Sequence, residues 1–189
     1  MSPSSPTEVA GRLANRFDED NLPYAIGGAL ALGVWGVPRM TSDVEDIAVF
    51  AGEGELDRVF EAVERAGAMV DRNEARRAVT RAGFFVAHLG RTRLDVFMAH
   101  HPWHAEMQKR RVSLATPEGR ARWFLSAEDT ALAKLIYARP KDIEDLQRLF
   151  TVQAGRLDLE YLRHWLPLIV PAGDTRLVLF DDLVRRSRL

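Results

Sequence analysis

The segment from Tyr24 to Phe50 places the tightest constraint on how this chain can fold. A short apolar run at its start stops at Gly27-Gly28, which is typical of a strand that ends in a tight turn. The Ala- and Leu-rich stretch 29–35 predicts a buried helix, and residues 43–50 predict a second strand. The order strand, glycine turn, helix and strand favours a mixed α/β architecture.

The remaining periodicities divide the chain into two parts. Apolar residues at helical spacing predict helices around 9–17 and 56–63, and two β-type runs around Leu89-Gly90-Arg91 predict a hairpin. From Ser126 onward the pattern is helical and predicts helices near 126–138, 141–151, 158–168 and 174–186. We therefore expect an α/β core over residues 1–125 and a helical C-terminal subdomain over 126–189, with a soft boundary near 115–125.

Composition excludes several classes of protein. The 189 residues are 47% hydrophobic and 28% charged, which is typical of a soluble globular protein. The absence of cysteine excludes disulfides and thiolate metal sites. The Ser- and Pro-rich start at 1–7 is unlike a signal peptide, and no run approaches the roughly 18 apolar residues of a membrane span. We expect a cytoplasmic protein with no membrane partner.

Three carboxylates are the candidate catalytic groups. Asp43 and Glu45 are two residues apart on a predicted strand, so both are expected on one face, where they repel each other unless a cation lies between them. Oxygen ligands at this spacing suit Mg²⁺. Asp95, between Leu94 and Val96, is a third acid on a later strand. Taken alone, the first two could form a solvated face and Asp95 could be a salt-bridged core acid.

The paired glycines fit phosphate chemistry. Without side chains, Gly27 and Gly28 would let backbone N–H groups at a helix N-terminus approach a polyphosphate. The alternative is a turn that only needs positive φ.

The order of these features resembles the nucleotidyltransferases of the polymerase-β superfamily. Their pattern is an apolar residue with Gly-Gly or Gly-Ser, then Asp-x-Asp/Glu, then a strand with an acid between apolar residues. More specifically, the chain is similar over about 20–165 to AbiEii-type minimal nucleotidyltransferases. The residues that carry this likeness are Gly27, Gly28, Leu30, Ala31, Gly36, Arg39, Thr41 and Asp43, with the helical stretches 126–146 and 158–162.

The resemblance implies an α+β polymerase-β-like fold with a helical C-terminal subdomain. It also implies an enzyme that moves a nucleoside monophosphate from a nucleoside triphosphate, such as ATP, to an acceptor with Mg²⁺ or Mn²⁺. Asp43 and Glu45 would bind metal, and Asp95 would complete that site or activate the acceptor hydroxyl. The implied nucleotide-binding residues are Gly27, Gly28, Arg39, Thr41, Ser42, Lys134 and Asp142.

Three of these positions leave alternatives open. Lys134 could instead be a solvated helix lysine, and Asp142 with Asp145 could merely stabilise a helix N-terminus. The family pattern makes position 46 apolar, but here it is Asp46. Either the strand bulges there, or Asp46 reaches the metal in place of Glu45.

Local charge bears on the acceptor. The net charge is −1, so a nucleic-acid partner depends on two basic segments, 65–81 and 104–122. We expect RNA, at the acceptor end of a transfer RNA, to contact Arg110 and Arg111, as for a toxin paired with an antitoxin protein. The alternatives are a small molecule such as an antibiotic, a protein side chain, or an inactive binding module. His100, His101 and His104 are expected in a surface turn.

Overall fold

A six-stranded mixed sheet organises the chain. The computed structural model describes residues 5–116 and 119–187, apart from the side chains of Glu45 and Glu53; most of the segment 1–7 lies outside the described residues. The strands are β1 (Tyr24–Ile26), β2 (Val44–Val49), β3 (Phe84–Leu89), β4 (Thr92–Met98), β5 (Val112–Ala115) and β6 (Ala121–Phe124). Their order in the sheet is β3-β4-β2-β1-β6-β5. The strand β2 is therefore central, parallel to β4 on one side and antiparallel to β1 on the other.

Helices cover both faces of this sheet. Within the described residues they are α1 (Pro6–Glu19), α2 (Gly28–Val34), α3 (Leu56–Arg65), α4 (Arg72–Ala82), α5 (Pro102–Arg110), α6 (Ala127–Tyr137), α7 (Pro140–Val152), α8 (Leu159–Ile169) and α9 (Thr175–Ser187). The mixed α/β architecture and the C-terminal run of helices confirm the predicted fold class. The domain boundary near 115–125 stays a prediction. No helix in the described ranges is long and apolar enough to cross a membrane.

Two apolar clusters fill the spaces between sheet and helices. One lies under α1 and α3 and includes Val44 and Ile47 of β2. The other lies against α6 to α9 and includes Ala48. Successive strand residues point to opposite faces, so neighbouring positions of β2 serve different clusters. Each fully buried large apolar side chain contributes about 1.5–3 kcal/mol of transfer free energy.

The structure contains two helices and one hairpin that the sequence does not predict. The helix α4 buries only Ala75, so it has no apolar stripe to detect. The helix α5 begins at Pro102, a residue tolerated at the first helical position because its missing N–H needs no partner there. The predicted surface turn is therefore wrong, since His104 belongs to this helix and is buried. The third element is the β5–β6 hairpin.

Candidate active site

The strand β2 contains a one-residue bulge at the predicted site. Val44 pairs with Leu94 and Ile47 pairs with Val96, so β2 has one residue more than β4 between these pairs. Asp46 has φ of 63°, the left-handed conformation. The hypothesis of a bulge at position 46 is thus confirmed, and it keeps Val44 and Ile47, three residues apart, in the same core.

Gly27 is required by this bulge. Its N–H donates a hydrogen bond of 2.7 Å to the carbonyl oxygen of Asp46. A Cβ atom on Gly27 would lie 2.8 Å from that oxygen and 2.9 Å from a methyl carbon of Leu125. Gly28 has φ of 57° and begins α2, so the turn interpretation of the glycines has a clear structural basis. A phosphate-binding role for their N–H groups stays a prediction.

Asp43 and Asp95 come together around Arg93. The backbone N–H of Arg93 donates to Oδ1 of Asp43 at 3.4 Å, and its Nε lies 2.8 Å from Oδ1 of Asp95. The paired neighbours Val44 and Leu94 are buried in the core, so Asp43, which directly precedes β2, and Asp95 of β4 lie on the opposite face of the sheet. The two predicted carboxylates therefore share a face of the sheet.

Thr41 and Ser42 position Asp43. The Thr41 hydroxyl donates to the carbonyl oxygen of Asp43 at 3.0 Å and accepts from its N–H at 3.3 Å. The Ser42 hydroxyl donates to Oδ2 of Asp43 at 3.2 Å. The resemblance implies that both residues bind nucleotide; in the structure their hydroxyls fix the backbone and carboxylate of Asp43, and nucleotide binding stays a prediction.

The chemistry of the two acids fits a divalent cation. Mg²⁺ and Mn²⁺ prefer carboxylate oxygens, which Asp43 and Asp95 supply. The Arg93 guanidinium already neutralises Asp95, but the two side chains are 49% and 21% exposed. Such a pair contributes at most about 1 kcal/mol, so a metal ion has only a weak partner to displace.

The candidates for the remaining metal ligand are Glu45 and Asp46. The predicted ligand Glu45 has a side chain outside the described part of the structure. Among the side chains that are described, no three acidic or imidazole groups form a metal site. Burial raises the pKa of Tyr137 to about 12, and the carboxylates of Asp46 and Asp95 contribute to this rise. Asp43, Asp46 and Asp95 all belong to the described side chains and do not form a metal site of three ligands, so the choice between Glu45 and Asp46 as the second ligand stays a prediction.

A buried ionic network lies between α6 and α7. Lys134 is 3% exposed, so its interpretation as a solvated lysine is wrong. Its Nζ is 2.8 Å from Oδ2 of Asp145 and 3.2 Å from Oδ1 of Asp142. Burial raises the pKa of Asp142, but hydrogen bonds and charge from Arg139 and Lys134 outweigh burial and lower it. Nucleotide contacts by Lys134 and Asp142 stay predictions.

The loop before β2 is attached to α7 and its C-cap by an ion pair and a hydrogen bond, and Gly36 approaches the end of this helix closely. Nε of Arg39 lies 3.1 Å from the same Oδ2 of Asp145 that binds Lys134. The side-chain amide of Gln153 donates to the carbonyl of Trp35 at 2.8 Å. Gly36 has φ of 90°, and a Cβ there would lie 2.8 Å from a methyl of Val152. No sequence pattern indicates that Asp145 holds this loop, which leads directly to Asp43.

The predicted RNA-binding arginines are engaged within the protein. Arg110 lies 3.1 Å from Glu128 and stacks 4.1 Å from the ring centre of Tyr161. Arg111 donates to the carbonyl of Tyr24 at 3.1 Å and stacks on Trp123. In the other basic segment the described ion pairs are Arg65 with Asp20, Arg72 with Glu64 and Asp57, Arg76 with Asp57, and Arg77 and Arg81 with Glu74.

The fold is that of nucleotidyltransferases. The solution structure of the antibiotic-resistance factor ANT(2'')-Ia matches with a TM-score of 0.58 and 22% identity, covering 86% of this chain and 92% of that one. The crystal structure of ANT(2'')-Ia in complex with adenylyl-2''-tobramycin matches with a TM-score of 0.51 and 20% identity, covering 95% and 98%. At this identity the two comparisons show a shared fold.

The family follows from the sequence. The model of a family described as "Nucleotidyltransferase of unknown function (DUF6036)" matches residues 11–169, which is most of the chain. The chain therefore belongs to this nucleotidyltransferase family, and the predicted resemblance to nucleotidyltransferases is confirmed at that level. The comparisons do not show the AbiEii-type subtype. A search of curated protein sequences finds no match.

Proposed function

We propose that this protein transfers a nucleoside monophosphate from a nucleoside triphosphate to a hydroxyl group of a small molecule. Asp43 and Asp95, with Glu45 or Asp46, hold the divalent cation. The observation that carries the proposal is that Asp43, directly before β2, and Asp95, on the adjacent parallel strand β4, lie on one face of the sheet in a chain of a nucleotidyltransferase family.

Each part of the site has a task in this reaction. The acceptor oxygen attacks the α-phosphorus, the bond to pyrophosphate breaks, and the hydroxyl proton passes to the carboxylate of Asp95. Bound Mg²⁺ or Mn²⁺ supplies charge neutralisation on the triphosphate. Thr41 and Ser42 keep Asp43 in place. Lys134 and Asp142 act at a distance, by fixing the α6–α7 junction to which Arg39 is attached through Asp145.

Two observations favour a small acceptor over RNA. The contacts of Arg110 and Arg111 are with groups of the protein itself, and the arginines of 65–81 have acidic partners. Phosphate contacts would have to replace these interactions. The structural neighbour ANT(2'')-Ia was crystallised with adenylyl-2''-tobramycin, a small molecule that carries the transferred group. A transfer RNA acceptor with an antitoxin partner is the competing expectation.

The test is a transfer assay with separated acceptors. The protein is incubated with each α-labelled nucleoside triphosphate and Mg²⁺ or Mn²⁺, together with a small-molecule extract, total RNA or total protein. We expect label in the small-molecule fraction with the parent protein and with Asp181→Asn, an exposed control. Asp43→Asn should lose it by several orders of magnitude, since metal charge stabilisation supplies much of the rate.

Three results of this assay would contradict the proposal. Label that appears only in RNA would establish the RNA acceptor, and label only in protein would establish the side-chain acceptor. No transfer with any fraction would favour an inactive binding module.

A further inference from the structure

A cavity of about 280 Å³ has Asp46, one of the candidate metal ligands, in its wall. It lies between the site face of the sheet and helices α5, α6 and α8. Its wall includes Asp46, Phe97, Trp103, Ala133, Tyr137 and Ile169. Phe97 follows Asp95 by two residues on β4, so both side chains belong to one face. Asp46 and Tyr137 both line the cavity, so the bulge of β2 forms one end of it.

The histidines of the cavity wall are held by hydrogen bonds to the backbone. His100, His101 and His104 line the cavity, and their Nδ1 atoms are bound to the backbone. Nδ1 of His104 accepts from the N–H groups of His100 and His101 at 3.3 and 3.0 Å, and Nδ1 of His101 accepts from the N–H of Trp103 at 3.1 Å. Burial lowers the pKa of His104 to about 4 and lowers that of His101, so these two rings are neutral near pH 7.

This wall selects a class of ligand. Apart from the histidines, Asp46 and the Tyr137 hydroxyl, most of the described lining is apolar or aromatic, and Asp46 is the single carboxylate within it. A polycation needs several carboxylates to replace its water, and a polyanion would face Asp46 without a compensating lysine or arginine on the described wall. The volume is just below the range of ordinary ligand pockets, about 300–1,000 Å³, which suits a body of one or two rings.

We propose that this cavity binds the acceptor, and that the acceptor is a small uncharged molecule with a ring body and a hydroxyl group at the Asp46–Tyr137 end. This inference rests on the proposed function and names its substrate class. In this pose the hydroxyl oxygen forms the new bond to the α-phosphorus, pyrophosphate leaves, and Asp95 receives the proton. The proposed acceptor differs in charge from the tobramycin of the ANT(2'')-Ia complex. A polycation would need several carboxylates, and the described part of the cavity wall has one.

Binding is tested with 2-phenylethanol as a neutral aromatic alcohol. Trp103 gives the readout, since it lines the cavity and its indole N–H, which donates to Asp129 and Tyr161, has a distinct nitrogen–proton NMR signal. We expect this signal to shift and saturate with 2-phenylethanol, but not with spermidine or a uridine trinucleotide at equal concentration. Ala133→Phe fills the cavity and should weaken binding at least about tenfold, the effect of about 1.4 kcal/mol.

Ala154→Phe is the matched control, because it makes the same change at an exposed position after α7 and should leave binding unaltered. If Ala133→Phe does not fold, Tyr137→Leu replaces it. Tyr137 is 42% exposed and therefore tolerates substitution better, and the change still removes its ring from the cavity wall. A shift that does not saturate, an equal shift with spermidine, or unchanged binding in the cavity variant would overturn the inference.

The two proposals can fail separately. Asp43→Asn should bind 2-phenylethanol normally while losing transfer. Saturable binding without transfer to any aromatic or alicyclic alcohol would retain the cavity as a ligand site and contradict the acceptor assignment. Transfer to a small molecule that Ala133→Phe leaves unaffected would support the proposed function and reject this cavity as the acceptor site.

Discussion

Lys134 and Arg39 bind the same carboxylate oxygen of Asp145, at 2.8 and 3.1 Å, from two different parts of the chain. Lys134 belongs to α6, and Arg39 to the loop that leads to Asp43. We expect Asp145→Asn to lower the free energy of unfolding by about 3 kcal/mol, because it leaves a buried ammonium with fewer compensating charges. Urea denaturation measures this. Asp182→Asn, which removes an exposed ion pair, should cost less than about 1 kcal/mol.

Asp145→Asn should also loosen the loop that carries Asp43. The activity that remains should then have a lower kcat than the parent protein, when both are compared at the same fraction of folded protein. A variant with normal stability and normal kcat would show that Asp145 holds neither the α6–α7 junction nor the loop.

Arg93 should compete with the metal ion for Asp95. Its guanidinium lies on the carboxylate that we assign to the cation, so Arg93→Gln frees that ligand. Affinity for Mn²⁺, followed by the electron paramagnetic resonance signal of the free ion, should rise by up to about fivefold, the equivalent of about 1 kcal/mol. Arg91→Gln, in the adjacent turn, is the control for loss of one positive charge. Equal gains in both variants would indicate a general charge effect and no specific competition.

Gly27 should not tolerate a methyl group. In Gly27→Ala the new Cβ meets the backbone of the β2 bulge at 2.8 Å, and backbone cannot rotate away as a side chain can. We expect a loss of at least about 2 kcal/mol of unfolding free energy, typical of overpacking. Gly52→Ala makes the same change where no atom lies within 4 Å. The control should be neutral or stabilising by about 0.4–1 kcal/mol, and two equal effects would contradict the role of the bulge.

His104 should make stability depend on pH. Its pKa is about 4 in the folded protein because of burial, against about 6.5 in an unfolded chain. Between these values the unfolded chain binds more protons, so stability falls as the pH is lowered through this window. Over the whole window the loss attributable to His104 is on the order of 3 kcal/mol.

His104→Gln isolates this contribution. Glutamine keeps an acceptor for the N–H of His101 at the start of α5, as in a capping box, but does not titrate. Thermal melts from about pH 7 to about pH 4 should therefore show a shallower decline for the variant than for the parent protein. Parallel declines would mean that protonation of His104 is not coupled to unfolding.

The sequence is most informative where periodicity is long and buried. The stripe of Val9, Leu13 and Phe17 predicts α1, and Ser126 is correctly identified as the cap of α6. The same reasoning fails for α4, whose exposed face is mostly charged, and for α5, where Pro102 argues against a helix through the histidines but in fact begins one. The local sequence pattern shows which residues can be buried. Only the tertiary contacts show which polar residues are in fact buried.

The candidate site shows the same division. Alternation along a strand is enough to expect Asp43 and Glu45 on a common face, whereas the place of Asp95 in the same site follows only from the family resemblance. The burial of Lys134 is not foreseeable in this way. Its partners Asp142 and Asp145 reach it only because the chain reverses at Ala138, a non-glycine residue in the left-handed conformation with φ of 46°.

The bulge in β2 sets which length changes this strand can accept. An extra residue at position 46 is absorbed locally, so Ile47 and the residues after it keep their faces. Loss of residue 46 would leave an ordinary ladder, whereas loss of one residue within 47–49 would turn the following side chains from one apolar cluster to the other. Relatives with a regular strand should thus align with a one-residue gap at position 46. Natural deletions in β2 should occur only at that position.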